Sequence, residues 1–328
     1  MDLRGRTILL TGGAGFIGSH LADALGDCRL RIVDDFSTGR EANLAHRAAR
    51  GNLEITRGDL RDASLLPGLL EGVDVVFHLA CRGVRHSIGH PLDNHAVNAT
   101  ATLQMLEAAH RARVQRFVHV SSSEVYGTAR AVPMDESHPT FPETVYGASK
   151  LAGECYARAC HQTHGFPTVV VRPFNNFGPR SHHEGDSGEV IPRFVVWALN
   201  GRAPVIFGDG EQTRDFIYVE ETAAWLRKVA ECDALVGQTI NLGSGREMSI
   251  RALADLVYDV VGCKCTPEFR PPRPGDVRRH AADVTKARAL LGLETRVGLR
   301  EGIQKLVAHL RDSGNVEGLL AQTQPINW

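Results

Sequence analysis

Tyr146 and Lys150 stand four positions apart in Tyr146-Gly147-Ala148-Ser149-Lys150, a spacing that puts a phenol and an ammonium on one face of a helix. A cation beside a phenol favours the phenolate, so the pair predicts a base for an alcohol whose carbon gives up hydride. Such a spacing also arises by chance on surface helices, and two upstream features give it weight. The first is Val120-Ser121-Ser122-Ser123-Glu124-Val125-Tyr126-Gly127, which follows a short apolar run. Ser122 is expected to orient the reacting alcohol and steady the incipient ketone; the alternative is a serine turn that satisfies its own backbone. The second is Thr11-Gly12-Gly13-Ala14-Gly15-Phe16-Ile17-Gly18, where Gly12, Gly15 and Gly18 have the spacing G-x-x-G-x-x-G. Glycines let the backbone turn tightly and approach a pyrophosphate, which rests on the positive end of the helix opened by Phe16 and Ile17.

Asp34-Asp35 closes the next apolar run. A carboxylate there accepts hydrogen bonds from an adenosine ribose and repels a 2′-phosphate, so Asp34 favours NAD over NADP. The alternative is an ordinary solvent-facing acid. Asp59 and Leu60 are expected at the adenine edge, with Leu79 and Ala80 along its apolar face.

These groups need a scaffold with one reactive edge. Arg6–Leu10, Leu30–Val33, Leu53–Arg57, Val73–Leu79, Arg116–Ser121 and Thr168–Arg172 read as strands. They alternate with helical stretches at Phe16–Leu25, Asn98–Ala112 and Tyr146–His164, which predicts an α/β fold with a parallel sheet covered on both faces. After Phe174, Gly and Pro become frequent, and helices are predicted over Val190–Leu199, Val219–Ala230, Ile250–Val261, Val284–Leu291 and Leu299–Asp312. The expected division is a first domain over 1–174 and a smaller α+β lobe over 175–328, interleaved with the last sheet strands. The segment Ser313–Trp328 reads as weakly structured and placed to pack on a neighbour.

With 328 residues, 43% hydrophobic and 23% charged, the chain can bury a full core. The 37 basic residues balance 38 acidic ones, which argues against a broad surface for nucleic acid or an anionic membrane. No apolar run reaches the roughly 18–20 residues of a membrane span, and no signal peptide is read, so a cytoplasmic protein is expected. The seven cysteines are scattered, as reduced structural thiols would be. Cys263-x-Cys265 fits no standard zinc spacing, and no metal is expected.

Taken together, the motifs resemble an extended short-chain dehydrogenase/reductase of the nucleotide-sugar epimerase, dehydratase and decarboxylase group. The resemblance spans nearly the whole chain. It rests on the glycine loop, Asp34-Asp35-Phe36-Ser37-Thr38-Gly39-Arg40, His78-Leu79-Ala80, Ser122 to Gly127, and Tyr146 with Lys150. It rests as well on Arg172-Pro173-Phe174-Asn175-Asn176-Phe177-Gly178-Pro179-Arg180, Gly208 to Phe216, and Arg273-Pro274-Gly275-Asp276. The resemblance implies a Rossmann-like, doubly wound sheet, tightly held NAD, and homodimers through a helix bundle. It adds Ser37, Thr38, Gly39 and Asn98 to the cofactor side. On the substrate side it implies Arg85, Asn175, Arg180, Arg214, Arg273 and Asp276, with Arg214 and Arg273 on the diphosphate of a nucleotide sugar. The alternative for Arg214 is a surface ion pair with Asp215.

Group members begin by making a ketone at C4, and the residues beside the serine select the next chemical step. Sequences resembling 4-epimerases carry a small residue where Glu124 stands. Those resembling 4,6-dehydratases carry an Asp-Glu pair, and Ser123 holds the Asp position here. Ser122-Ser123-Glu124 is similar to the Thr-Ser-Glu of UDP-glucuronate decarboxylases, a triplet that GDP-mannose dehydratases share. Those prefer NADP, which Asp34 argues against, so decarboxylation to UDP-4-keto-xylose or UDP-xylose is the leading expectation. Arg278, Arg279 and His280 are placed to supply a carboxylate-binding cation. An epimerase is the alternative, favoured by Arg273-Pro274-Gly275-Asp276 and by Cys81 to Ser87; a dehydratase is the next. A catalytically silent dinucleotide-binding sensor is the alternative of a different class, disfavoured because Tyr146 and Lys150 are both present.

Overall fold

The computed structural model describes residues 1–48, 51–312 and 314–327. Short aliphatic runs make the central sheet: β1 (Thr7–Thr11), β2 (Arg29–Asp34), β3 (Leu53–Arg57), β4 (Val75–His78), β5 (Arg116–Val120) and β6 (Thr168–Pro173). Every residue of β4, β5 and β6 is buried, as expected of strands covered by helices on both faces. Six further strands come later in the chain: β7 (Asn175–Phe177), β8 (Val205–Phe207), β9 (Thr213–Tyr218), β10 (Thr239–Leu242), β11 (Glu247–Ser249) and β12 (Glu268–Arg270). The main sheet has seven strands in the order β10-β6-β5-β4-β1-β2-β3. All its pairings are parallel, which is the doubly wound Rossmann-like arrangement expected.

Its registers align the strand ends. Thr11 pairs with His78, His78 with His119, and Val120 with Val171. The glycine loop, Leu79-Ala80, Ser121–Glu124 and Pro173–Asn175 therefore emerge along one carboxyl edge, where α/β folds bind ligands.

The Val145–His164 helix is bounded by its own sequence. The Thr144 side chain accepts from the Gly147 amide at the start, and Gly165 adopts φ 65° at the end, the left-handed cap that glycine tolerates best. Glu154 on this helix pairs with Arg172 of β6 through bonds of 2.9 and 2.7 Å. That buried fork docks the helix against the sheet.

Residues beyond 174 serve both layers. Strand β10 joins the main sheet, and Trp225, Leu226 and Val229 of the Val219–Glu231 helix pack in the same core as Leu10 and Val120. A second core gathers Phe194, Ile206, Leu253 and Leu306 from the Val190–Leu199, Ile250–Val261 and Leu299–Asp312 helices with β8. Strands β7 and β11 flank β9, and β12 pairs with β8.

Segment 314–327 differs from its weakly structured expectation. It carries a Val316–Gln322 helix, and Thr323 and Asn327 are buried against the rest of the chain; Ser313 and Trp328 lie outside the described residues. Among the described residues no helix is long and apolar enough to cross a membrane.

Candidate active site

A cavity of about 430 Å³ opens along the carboxyl edge, between the sheet and the second layer. Gly12, Gly15, Phe16, Ile17 and Gly18 line one end. The fit to a dinucleotide can be tested at the glycines. Gly12 adopts φ +68°, and a Cβ on Gly18 would lie 2.2 Å from the Gly12 carbonyl oxygen. Neither position admits a side chain, so the loop folds directly onto the helix behind it. No side chain caps the Phe16–Ala24 helix, which leaves its first amides for an anion.

Asp34 lies at the same end. Its carboxylate accepts from the amides of Ala14 and Phe36, at 2.9 and 2.8 Å. Each oxygen keeps a further lone pair for a ribose hydroxyl. Burial raises the Asp34 pKa, and those two amides oppose the rise. Asp35, Ser37, Thr38, Asp59, Leu60, Leu79 and Ala80 also line the cavity. Gly39 does not. It packs bare against Asp34, where a Cβ would come within 2.8 Å of a carboxylate oxygen. The chain here fits a dinucleotide.

Asn98 is likewise off the wall. It is fully buried on a wide π-type turn over Ala96–Thr100. Its side chain accepts from the Arg82 amide at 2.8 Å and donates to the Arg82 carbonyl at 3.0 Å. It holds the wall in place from behind.

Tyr146, Lys150, Ser122, Ser123 and Glu124 meet midway along the cavity. Burial pushes the Tyr146 hydroxyl upward, Cys81 and Glu124 add to the rise, and the Ser122 hydroxyl opposes it. Lys150 is 2% exposed and donates to the Val120 carbonyl at 2.6 Å, while burial lowers its own pKa. The four-residue spacing predicts that Lys150 eases Tyr146 toward phenolate. In the structure Ser122 also favours the phenolate, and the Lys150 ammonium is anchored by the Val120 carbonyl. Burial also raises Glu124, whereas Arg214, Arg273 and Arg85 lower it.

At the far end Arg214 and Arg273 share Asp276, at 2.6 and 2.7 Å. Arg214 does not pair with Asp215. That carboxylate turns away and accepts from Ser244, Gly245 and Ala282. Arg85 lines the cavity, with its Nε buried and without a hydrogen-bond partner. Burial, with nearby Arg273, lowers its pKa to about 10. Asn175 completes this end.

Arg180 lies outside the cavity lining and pairs with Asp23 at 2.9 Å. Arg278 and Arg279 are exposed and pair with Asp209 and Glu247, so neither supplies a cation to the cavity. His280 is buried behind Ser123, with Nδ1 3.5 Å from the hydroxyl and Nε2 3.0 Å from the Gly127 carbonyl.

The charged wall residues Glu189 and Arg193 carry no signal in the sequence, and Cys81 and Arg82 are expected only as part of the Cys81 to Ser87 segment. Arg82 donates to Asp35 at 3.0 Å, and only its place after His78-Leu79-Ala80 hinted at this. Burial raises Glu189 to about 7, and its Oε2 has no hydrogen-bond partner. Among the described residues no group of His, Cys, Asp or Glu is placed to hold a metal ion.

Known proteins share this outline. A family model for GDP-mannose 4,6 dehydratase matches residues 9–306. A UDP-glucose 4-epimerase of Mycolicibacterium smegmatis is 40% identical over 310 residues, 93% of this chain and 98% of that protein. UDP-glucuronic acid decarboxylase 1 of Arabidopsis thaliana is 35% identical over 314 residues, covering 93% of this chain and 70% of its own. The solved UDP-glucuronic acid 4-epimerase of Bacillus cereus, in complex with UDP-glucuronic acid and NAD, superposes with a TM-score of 0.88 at 30% identity, over 94% of this chain and 99% of that one.

Proposed function

This chain belongs to the GDP-mannose 4,6-dehydratase family of extended short-chain dehydrogenases/reductases, an NAD-dependent group acting on nucleotide sugars, and from that premise we propose that it decarboxylates UDP-glucuronate. Glu124 carries the reading. It is a half-buried carboxyl that lines the cavity with Tyr146, within the influence of Arg85, Arg214 and Arg273. Sequences resembling 4-epimerases usually carry a small residue there, so that the ketosugar can turn over, and those resembling dTDP-glucose 4,6-dehydratases carry an Asp where Ser123 stands. GDP-mannose dehydratases share the Ser-Glu pair but prefer NADP, which Asp34 disfavours.

The proposed roles come from placement. Gly12 to Gly18, with Asp34, hold the dinucleotide, and Asp35, Ser37, Thr38, Asp59, Leu60, Leu79 and Ala80 complete its bed. When bound, NAD accepts hydride from C4 of the sugar and returns it. Tyr146 takes the C4 hydroxyl proton, and Ser122 holds the C4 oxygen as it becomes a carbonyl. Lys150, anchored on Val120, is the reserve cation for the cofactor ribose and the phenolate. The C4 ketone makes the C6 carboxylate that of a β-keto acid. The C5–C6 bond then breaks, carbon dioxide leaves, and its electron pair passes into the enolate. Glu124, whose pKa burial raises against the pull of Arg214, Arg273 and Arg85, is the group placed to return a proton to C5. Arg214 and Arg273 bind the diphosphate, with Asn175 beside them, and Arg85 is the cation left for the sugar carboxylate.

A second reading, 4-epimerisation of the same UDP-hexuronate, is favoured by the epimerase relatives. The two separate on mass. Incubation with UDP-glucuronate yields a product lighter by carbon dioxide in the first case and one of unchanged mass in the second. Two further expectations belong to the same proposal. The chain works as a homodimer in the cytoplasm. Leu92, 85% exposed beside the Val145–His164 helix, is apolar surface that such a dimer would cover.

A further inference from the structure

Arg193 reaches the substrate end of the cavity from the Val190–Leu199 helix. Its guanidinium has no carboxylate partner among the described residues. Nη2 donates to the carbonyls of Gln324 and Pro325 at 2.7 and 2.8 Å, and Nη1 to the Asn327 side-chain oxygen at 3.1 Å. The Asn327 amide turns the other way and donates to the carbonyls of Gly185 and Gly188, both at 3.1 Å. Gly188 packs bare against Arg193, where a Cβ would come within 3.1 Å of Cδ. One buried side chain thus ties the arginine to the loop that carries Asp186, Ser187 and Glu189 into the cavity wall.

The nature of the partners matters. Arg214 and Arg273 share a carboxylate that cancels part of their charge. Carbonyl and amide oxygens accept from the Nη atoms of Arg193 without cancelling its charge, and its buried Nε has no hydrogen-bond partner. Burial, together with the charges of Arg85 and Arg273, lowers Arg193 to about 9. Three guanidinium groups thus crowd one end of a buried cavity, an arrangement that an arriving anion relieves.

We propose that Asn327, with the main-chain carbonyls of Gln324 and Pro325, is a clasp that positions Arg193 and the Gly185–Glu189 loop to bind the anionic part of the substrate. The nucleotide-sugar identity of that substrate rests on the preceding reading; the anion site does not. Asn327 touches no reacting atom. It is a positioning residue.

Calorimetric titration of the NAD-saturated full chain with inorganic pyrophosphate, and separately with UDP-glucuronate, tests the clasp. Losing a buried bond to a charged group weakens binding by about tenfold, so N327A should bind pyrophosphate about tenfold more weakly, with NAD affinity unchanged. N327D keeps an acceptor for Arg193 but sets a negative charge against it. It should bind pyrophosphate at least as weakly as N327A while melting no lower. Wild-type pyrophosphate affinity in either variant overturns the clasp, as does an equal loss of NAD affinity, which would mean general loosening. Pyrophosphate binding that depends on Asn327, without any binding of UDP-glucuronate, supports the clasp and refutes the substrate reading.

Discussion

Tyr146 must lose its proton in a place that opposes the loss. Burial and the nearby Glu124 both disfavour phenolate, and Ser122 favours it. We expect Y146F to lower kcat by at least about a thousandfold, the upper part of the range for positioned proton transfer, with NAD affinity intact by fluorescence titration. A rate within a few-fold of wild type would remove Tyr146 as the base. Glu124 separates the reactions. E124Q should lower carbon dioxide release by about a hundredfold, while the enzyme still draws hydride from C4, seen as a rise in NADH absorbance. Unchanged carbon dioxide release would remove Glu124 from the mechanism.

At the scale of elements, the Val145–His164 helix presents Tyr146 and Lys150 only because it is docked correctly. The Glu154–Arg172 fork does that docking, with Glu154 fully buried. Breaking a buried pair by removing one partner strands the other charge, so E154A should cost about 3–5 kcal/mol in a denaturant titration. A cost below about 1 kcal/mol would mean that apolar packing alone holds the helix. The glycine loop makes an equally local prediction. In G18A a methyl would press on the Gly12 carbonyl, and NAD binding should be lost while the fold survives; retained affinity would contradict the cradle.

This helix is legible in the sequence because its cap, period and terminal glycine are local. So are the first six strands of the main sheet, each a short stretch rich in aliphatic or β-branched residues, although β3 (Leu53–Arg57) carries two charged side chains. Strand β10 is not, because its four residues lie far along the chain and gain their place only by pairing with β6. The three-residue strands β7, β8, β11 and β12 are too short to show a period, and β9 reads as a motif loop. The same logic divides the site. Residues in contiguous motifs (the glycine loop, Ser122–Glu124, Tyr146 with Lys150) do line the cavity. Arg180 shares a motif with Asn175, yet its positive φ of 64° and its pairing with Asp23 carry it elsewhere. Arg193 and Asn327 could not be linked at all, being 134 residues apart.

Over the whole molecule, the two-lobe division at 174/175 is a proposal about assembly, since β10 and the Val219–Glu231 helix belong to the first core. Removing residues beyond 174 would strip that core, so a 1–174 fragment should fail to fold, checked by its near-ultraviolet dichroism. Acid stability is a global property with a definite sign. His78 and His280 are buried, and burial holds both at about 3. Below the ordinary histidine value of 6.5 the unfolded chain binds protons that the folded chain refuses. Each histidine should therefore cost about 1 kcal/mol for each pH unit below 6.5. Glu189 has the opposite sign between its ordinary value and about 7, and offsets part of the loss. Denaturation midpoints at pH 7.5 and 5.5 should fall on acidification; a rise would contradict neutral buried histidines. Light scattering should give twice the chain mass of 35.7 kDa, and a monomer at working concentration would contradict the proposed dimer.

The measurement that bears most directly on the proposed chemistry is mass spectrometry of UDP-glucuronate incubated with the NAD-saturated enzyme, beside Y146F as the control. We expect a product lighter by carbon dioxide, absent from the control. A product of unchanged mass that resolves as the C4 epimer would contradict decarboxylation, and unaltered substrate would contradict UDP-glucuronate as the substrate.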